Sequence, residues 1–298
     1  MSSLRIWIDT DPALGYAEND NPKDVDDAFA IAEAIGDEHV LVAGISSVFG
    51  NSPADVGFRV ASELVRLTRA NVGVVEGAAA AGSPDAGFPR NAAAVAMAEA
   101  LHEAPLSIVA IGPLTNVAAL IQHFPDEATR IEQVVVVAGR SVGQIFELNG
   151  AKGVPDFNFE CDPHAARMLM ESDVQVALTG FELTSQVVVT REQIESLRGR
   201  SRVADAIVDG ALPWLTWWQG VFPSEAGFHP WDSAALAYLT QPELFVREQR
   251  GWRIGASPEG TPWLELGSDL PGTRATYCPG FAPGGAEAFV REMLAGVP

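Results

Sequence analysis

Ile6-Trp7-Ile8-Asp9-Thr10-Asp11-Pro12 is followed, after a polar loop, by Asp24-Val25-Asp26-Asp27-Ala28-Phe29. An apolar run that stops at carboxylates reads as a buried strand, and a carboxylate pair opening a segment of helical period reads as a helix start. Asp9 and Asp11 stand two residues apart where the strand ends, so their side chains leave on the same face. Asp26 and Asp27 complement the dipole of the helix they open, worth about 0.3 to 1 kcal/mol each. All four carboxylates can then converge at the carboxyl edge of a sheet.

The same rhythm continues outward. Candidate strands cover Arg5 to Ile8, Val40 to Ser46, Val72 to Val75, Ser107 to Ile111, Gln133 to Ala138 and Val174 to Leu178. Candidate helices cover Asp26 to Ile35, Pro53 to Thr68, Asn91 to His102, Thr115 to His123 and Pro163 to Glu171. The strands are apolar throughout, as expected when helices cover both faces of a parallel sheet. After residue 180 the pattern loosens. Thr190 and Gln193 form a capping box for a helix through Leu197, and Val203 to Trp218 reads as a helix interrupted by Pro213. Asp232 to Leu239 and Gly284 to Leu294 read as further helices. Residues 244 to 278 read as antiparallel hairpins with turns at Arg250-Gly251 and Glu259-Gly260. With no linker or internal repeat, the expectation is one α/β domain over 1–298: a mostly parallel, Rossmann-like central sheet flanked by helices, with an irregular C-terminal third.

Composition narrows the partners. The 298 residues carry 39 acidic against 19 basic side chains, a formal charge of -20, and 47% are hydrophobic. That is ample for a large core and excludes intrinsic disorder. Lys23 and Lys152 are the only lysines, and the pI is about 4.5. Such a surface repels nucleic acid and anionic membranes. No apolar run approaches the about eighteen residues of a membrane span, and the first residues lack a secretion signal. A cytoplasmic protein is expected. Cys161 and Cys278 match neither a disulfide framework nor a zinc spacing.

Several carboxylates brought within about 6 Å repel one another unless a cation sits between them. With five histidines, none at ligand spacing, the donors are oxygens, which favours Ca²⁺ or Mg²⁺ over zinc.

A set of motifs extends this start: Val48-Phe49-Gly50-Asn51, Gly112-Pro113-Leu114-Thr115-Asn116, Asp156-Phe157-Asn158 with Asp162-Pro163, and Trp231-Asp232. Their order resembles that of nucleoside hydrolases of the inosine-uridine-preferring type, over residues 4 to about 240. The resemblance implies hydrolysis of the N-glycosidic bond of ribonucleosides, a Ca²⁺ cofactor, and a homodimer or homotetramer. It implies Asp11, Asp27, Asp232 and the carbonyl of Ile111 as calcium ligands, with Asp9 orienting ligands or water. Asp26 resembles the general base that takes a proton from the attacking water. Asn51 and Asn158 match ribose-binding positions, Asn149 stands one residue from another, and Asp156 stands where the family usually has Glu. Trp231 takes the place of a histidine found in other members and resembles the purine-preferring subgroup, where an indole stacks on the base. His229 is a candidate acid for the departing base.

The chain also departs from the family. Fourteen residues separate Asp11 from Asp26 where familiar members have a few, which suggests a flap over the sugar site. No histidine motif follows the third strand, so one wall of the base pocket has no assigned residues. Two other readings fit the opening motif. A haloacid dehalogenase-type phosphatase would use Asp9 as nucleophile, Asp11 as acid and Mg²⁺, and a non-catalytic calcium-dependent binder of nucleosides or sugars would keep the site without turnover.

Overall fold

The computed structural model describes residues 3–148, 150–257 and 259–298. Its main sheet has ten strands. Six parallel strands come first in the chain, and they lie in the order third (Val74–Glu76), second (Val40–Ser47), first (Leu4–Thr10), fourth (Leu106–Ala110), fifth (Ile131–Val136) and sixth (Val176–Leu178). This is a doubly wound arrangement. The order reverses between Leu4–Thr10 and Leu106–Ala110, which pair with Ile8 beside Val109 and Asp9 beside Ala110. Ligands of such sheets bind outside the carboxyl ends of the strands at that reversal, and Asp11 and Ile111 both stand there.

Beyond the sixth strand the sheet accepts Ala275–Phe281 in parallel, then Phe245–Ala256 antiparallel to it, Pro262–Gly267 antiparallel again, and the short Arg140–Ser141 parallel to that at the edge. The expected hairpin region is therefore an extension of the main sheet. Arg250 and Gly251 do not turn the chain; they lie inside Phe245–Ala256. Gly251 is there because a Cβ would stand 2.0 Å from the carbonyl oxygen of Leu270, a close backbone approach in a strand rather than a turn. The turn at Glu259-Gly260 is present, closed by Ser257 N–H donating to Thr261 O at 2.8 Å.

Each face of the sheet has its own core. Ile6 and Ile8 pack with Phe29, Ile31 and Ile45, whereas Trp7, between them in sequence, packs with Met97, Leu101 and Ile108 on the other face. This two-sided burial explains why the strands are apolar throughout. Helices follow their local signals closely: Asn91 caps Ala92–Glu103, Asp162 caps Pro163–Glu171, and Thr190 with Gln193 forms the capping box of Arg191–Glu195. The exception is Pro213. Arg202–Val221 is one helix running through it, because the ring faces solvent while Ala211, Trp214, Leu215 and Trp218 are buried on the inner side. Packing of that face outweighs the one backbone hydrogen bond a proline removes.

Candidate active site and metal centre

The site is assembled from the ends of three elements. Leu4–Thr10 delivers Asp9 and Asp11 at its carboxyl end, and the helix Asp26–Gly36 begins with Asp26 and Asp27. The helix Trp231–Thr240 begins with Trp231 and Asp232. Two helix N-termini thus meet the carboxylates, the favourable end of each dipole. They are joined across the chain by Asp232 N–H donating to Asp26 Oδ2 at 3.0 Å. Asp27 Oδ1 accepts from the Thr10 hydroxyl and, at 3.2 Å, from Asp11 N–H. Asp11 Oδ2 accepts from Asn51 N–H at 2.6 Å.

That last bond needs Gly50. Its φ is 154°, and a Cβ there would stand 2.0 Å from Asp11 Oδ2.

Asp26, Asp27 and Asp232 are all buried, and one oxygen from each lies within 4.8 Å of the others. Burial pushes Asp27 up to about 7, with the charge of Asp26 adding to the effect. Asp11, Asp26 and Asp232 are also pushed well above the carboxylate range, first by burial and then by neighbouring aspartates. The charged groups acting on Asp232 are Asp26, Asp27, Asp11 and Asp24. An all-oxygen, all-anionic set of this kind fits a hard divalent cation, which would neutralise the repulsion. The tight triad contains Asp26 rather than Asp11, a difference from the ligand set expected above. Ile111 lies beside the triad in the cavity, and its carbonyl accepts from Asn158 Nδ2 at 3.1 Å, leaving a second lone pair.

Asp9 is wholly buried. Its Oδ1 accepts from the Ser46 hydroxyl and from Asn116 Nδ2, the latter at 2.8 Å, and burial pushes its pKa up to about 7. Asn116 also donates to Ser47 O at 3.0 Å and accepts from Ala78 N–H at 2.8 Å, so it ties three segments behind the site. A nucleophile must be reached by its substrate. Asp9 is absent from the cavity lining, and the phosphatase reading finds no attacking group here.

The carboxylates open into a cavity of about 760 Å³. Asn51, Asp156 and Asn158 line it. Both ends of the Asn51 side-chain amide are engaged with the backbone of Asp24, Oδ1 accepting from its N–H at 3.3 Å and Nδ2 donating to its carbonyl at 3.1 Å. Asp156 Oδ2 accepts from Gly139 N–H at 2.8 Å, and burial pushes its pKa up to about 7. Asn149 lies outside the described residues. Trp231 lines the cavity, its ring meeting Trp218 edge-on at 5.8 Å. The wall with no residue assigned from sequence is built by Trp214, Trp217 and Trp218 of the Arg202–Val221 helix and by Phe222, its C-cap residue. Their signal was the i, i+3, i+4 spacing of aromatic residues in a segment that belongs to none of the motifs.

His229 is placed differently. Its ring packs 5.3 Å from Trp231, yet it is not part of the cavity lining. Its Nδ1 faces the carbonyls of Val187 at 2.7 Å and Thr184 at 3.3 Å, and so carries the hydrogen. Burial lowers its pKa. The ring thus stands behind Trp231 rather than in the cavity wall, where an acid for the departing base was expected.

The insertion between Asp11 and Asp26 forms a small hairpin, Ala17–Glu18 with Asn21–Pro22. Asn19 and Asp20 turn it with φ of 51° and 65°, the two-residue turn that matches strand twist. Trp217 Nε1 donates to Asn21 Oδ1 at 3.2 Å, and Asn21, Pro22 and Lys23 line the cavity.

Aspartates thus gather at the reversal of a doubly wound sheet, beside a cavity lined by polar and aromatic side chains, an arrangement shared with enzymes acting on N-ribosyl bonds. The chain belongs to the family of inosine-uridine preferring nucleoside hydrolases, whose family model matches residues 6–262. It is 28% identical over 272 residues to the non-specific ribonucleoside hydrolase RihC of Salmonella schwarzengrund, covering 82% of this chain and 81% of that one. It is 29% identical over 270 residues to RihC of Escherichia coli, with the same coverage. Among solved structures, a purine-preferring ribonucleoside hydrolase from Gardnerella vaginalis superposes with a TM-score of 0.82 at 20% identity. A plant nucleoside hydrolase does so with 0.80 at 20% identity, each covering 98% of both chains. Among the described residues no helix is long and apolar enough to cross a membrane.

Proposed function

We propose that the protein hydrolyses the N-glycosidic bond of purine ribonucleosides to free base and ribose, with Ca²⁺ as cofactor and Asp26 as general base. The observation that carries this reading is the triad of Asp26, Asp27 and Asp232 in a cavity that also exposes Trp231. Asp11, Asp27, Asp232 and the Ile111 carbonyl would hold the ion. Bound there, calcium would offset the acidic cluster and supply a water of lowered pKa. Asp26 would take a proton from the attacking water as its oxygen adds to the anomeric carbon. The electron pair of the C–N bond departs with the base, and the remaining carboxylates stabilise the positive sugar that develops. Trp231 stacks on a purine and favours protonation of its ring nitrogen. Asn51, Asn149, Asp156 and Asn158 hold the sugar hydroxyls. The working form is a cytoplasmic homodimer or homotetramer, checked by sedimentation velocity and cell fractionation.

Base release from a panel of ribosides, deoxyribosides and 5′-phosphates, with and without chelator, tests this function. Asp26→Asn should lower release about 10²- to 10⁴-fold while nucleoside binding persists. Binding without turnover in the unaltered protein would make it a calcium-dependent binder instead. The geometry favours one second reading: because Asp26 shares the triad, it can serve as a ligand with Asp11 as the base. Calcium affinity separates the two, since loss of binding in Asp26→Asn with binding kept in Asp11→Asn supports the second.

A further inference from the structure

We infer that Arg140 is a positioning residue: buried behind the cavity wall, it fixes the place and the charge of Asp156 and thereby sets how tightly the sugar is held. This rests on the reading of Asp156 as a sugar-binding carboxylate. Arg140 heads the fully buried large side chains, at 1% exposure. Its guanidinium lies over the rings of Phe146, at 3.9 Å, and Trp263, at 4.4 Å. A charge so deeply buried ordinarily spends every donor on a partner. Here Nη1 makes one long contact, to Gln144 O at 3.4 Å, and Nε and Nη2 have no hydrogen-bond partner.

The carboxylates around it show what the charge serves. Glu265 is already taken by Arg253, at 2.7 Å, and by Gly143 N–H, at 3.0 Å. The Tyr277 hydroxyl donates to Glu182. That leaves Glu160, whose Oε1 lies 3.7 Å from Arg140 Nη2, and Asp156. These two are themselves linked, because Glu160 Oε1 accepts from Asp156 N–H at 2.9 Å. The residue before Arg140, Gly139, donates its N–H to Asp156 Oδ2 at 2.8 Å. Asp156 is therefore gripped at its backbone through Glu160, which faces the guanidinium, and at its side chain through Gly139, the residue before Arg140. Phe146, under the guanidinium, stacks on Phe181 at 4.3 Å, and both rings line the cavity with Asp156.

A poorly hydrogen-bonded buried cation is a weak source of stability compared with an apolar side chain of its size. Its field is another matter. Besides burial, the groups acting on Asp156 are Gly139 N–H, Arg140 and Glu160. Gly139 N–H and Arg140 both favour the ionised carboxylate a sugar hydroxyl needs as acceptor, and Arg140 is the cation of that set.

The test uses the full-length, calcium-loaded protein with R140K, R140Q, D156N and R140Q/D156N, all checked for cooperative melting. R140Q should raise KM for a riboside about tenfold with little change in kcat. In the D156N background the same change should cost little, a coupling of about 1.4 kcal/mol. R140K, which keeps the charge and is the variant to use if R140Q does not fold, should recover part of the loss. Independently of turnover, ¹³C-carboxyl NMR should show the Asp156 midpoint moving up by about one pH unit in R140Q. Equal losses in both backgrounds, or an Asp156 midpoint that stays put, overturn the inference. If the unaltered protein releases no base, the proposed function fails while the titration still decides the role of Arg140.

Discussion

Replacing Asp27 by Asn should stabilise the metal-free protein and abolish its response to calcium. Oxygens of Asp26, Asp27 and Asp232 lie within 4.8 Å of one another. At that distance and an effective dielectric near 20, two unit charges repel by about 3.5 kcal/mol. The substitution keeps the shape of the side chain and the acceptor used by the Thr10 hydroxyl and Asp11 N–H, and it removes charge from two of the three pairs. Proton uptake already relieves part of the repulsion without metal, so relief worth about one pair is expected. An unfolding entropy of about 2.1 cal/mol/K per residue gives about 0.6 kcal/mol per degree for a chain of this length. The variant should therefore melt about 5 °C higher than the unaltered protein in chelator. Calcium at a hundredfold excess over Kd stabilises by about 2.7 kcal/mol, which is about 4 °C for the unaltered protein and far less for the variant. Calorimetry in chelator and across a calcium titration measures both quantities, with base release recorded alongside. A variant that melts lower in chelator, or an unaltered protein indifferent to calcium, would refute the account of the cluster as a cation site.

Gly50→Ala should weaken calcium binding at least tenfold and lower the melting temperature. Its Cβ would meet Asp11 Oδ2 at 2.0 Å, adding about 1 to 3 kcal/mol of backbone strain and losing a charge-assisted hydrogen bond worth about 1.5 to 3 kcal/mol; an unchanged calcium titration would contradict this. Trp231→Ala should raise KM for purine ribosides about tenfold, the upper end of a stacking contribution of about 0.5 to 1.5 kcal/mol. Equal kinetics for purine substrates would remove Trp231 from base recognition. Glu33, buried 6% exposed at the back of the Asp26–Gly36 helix, is pushed from 4.5 up to about 8 by burial. Between those values the folded protein keeps a proton that the unfolded chain loses, so stability falls as pH rises, by up to about 1.4 kcal/mol per unit. Glu33→Gln should flatten that slope in urea unfolding between about pH 5 and 8, and parallel slopes would count against it.

The parallel half of the fold was legible because its signals are local. Uniformly apolar strands of the length of Leu4–Thr10 or Leu106–Ala110, separated by capped helices, leave few arrangements open. The aspartates were legible for the same reason, each standing at the end of an element whose direction the sequence indicates. What escaped was long-range. Pro213 breaks a helix by any local rule, and only the burial of Trp214 and Trp218 against the rest of the molecule keeps Arg202–Val221 whole. Gly251 looks like a turn until Leu270 is seen to pass against it. The aromatic wall of the cavity comes from that same helix, and Arg140 carries no motif; its importance lies in Asp156, Glu160 and Trp263 being folded around it.

The acidic surplus of the chain and its acidic centre are separate matters in energy. Surface carboxylates stay in water and repel one another weakly through screening, whereas Asp11, Asp26, Asp27 and Asp232 have left water and act on one another at short range. Two helix dipoles offset only part of that, since each contributes about half a unit charge. Four carboxylates therefore exceed what the fold can neutralise with its own groups. Asp11, Asp26 and Asp27 come from the first strand and first helix, and Asp232 from a helix more than 200 residues later, fastened by the bond from its amide to Asp26. A cation held among them would link the beginning of the chain to its C-terminal third at the point where that third presents Trp231 to the cavity. The cluster thus has an energetic reason to take up metal, and under the proposed function base recognition would depend on the same closure.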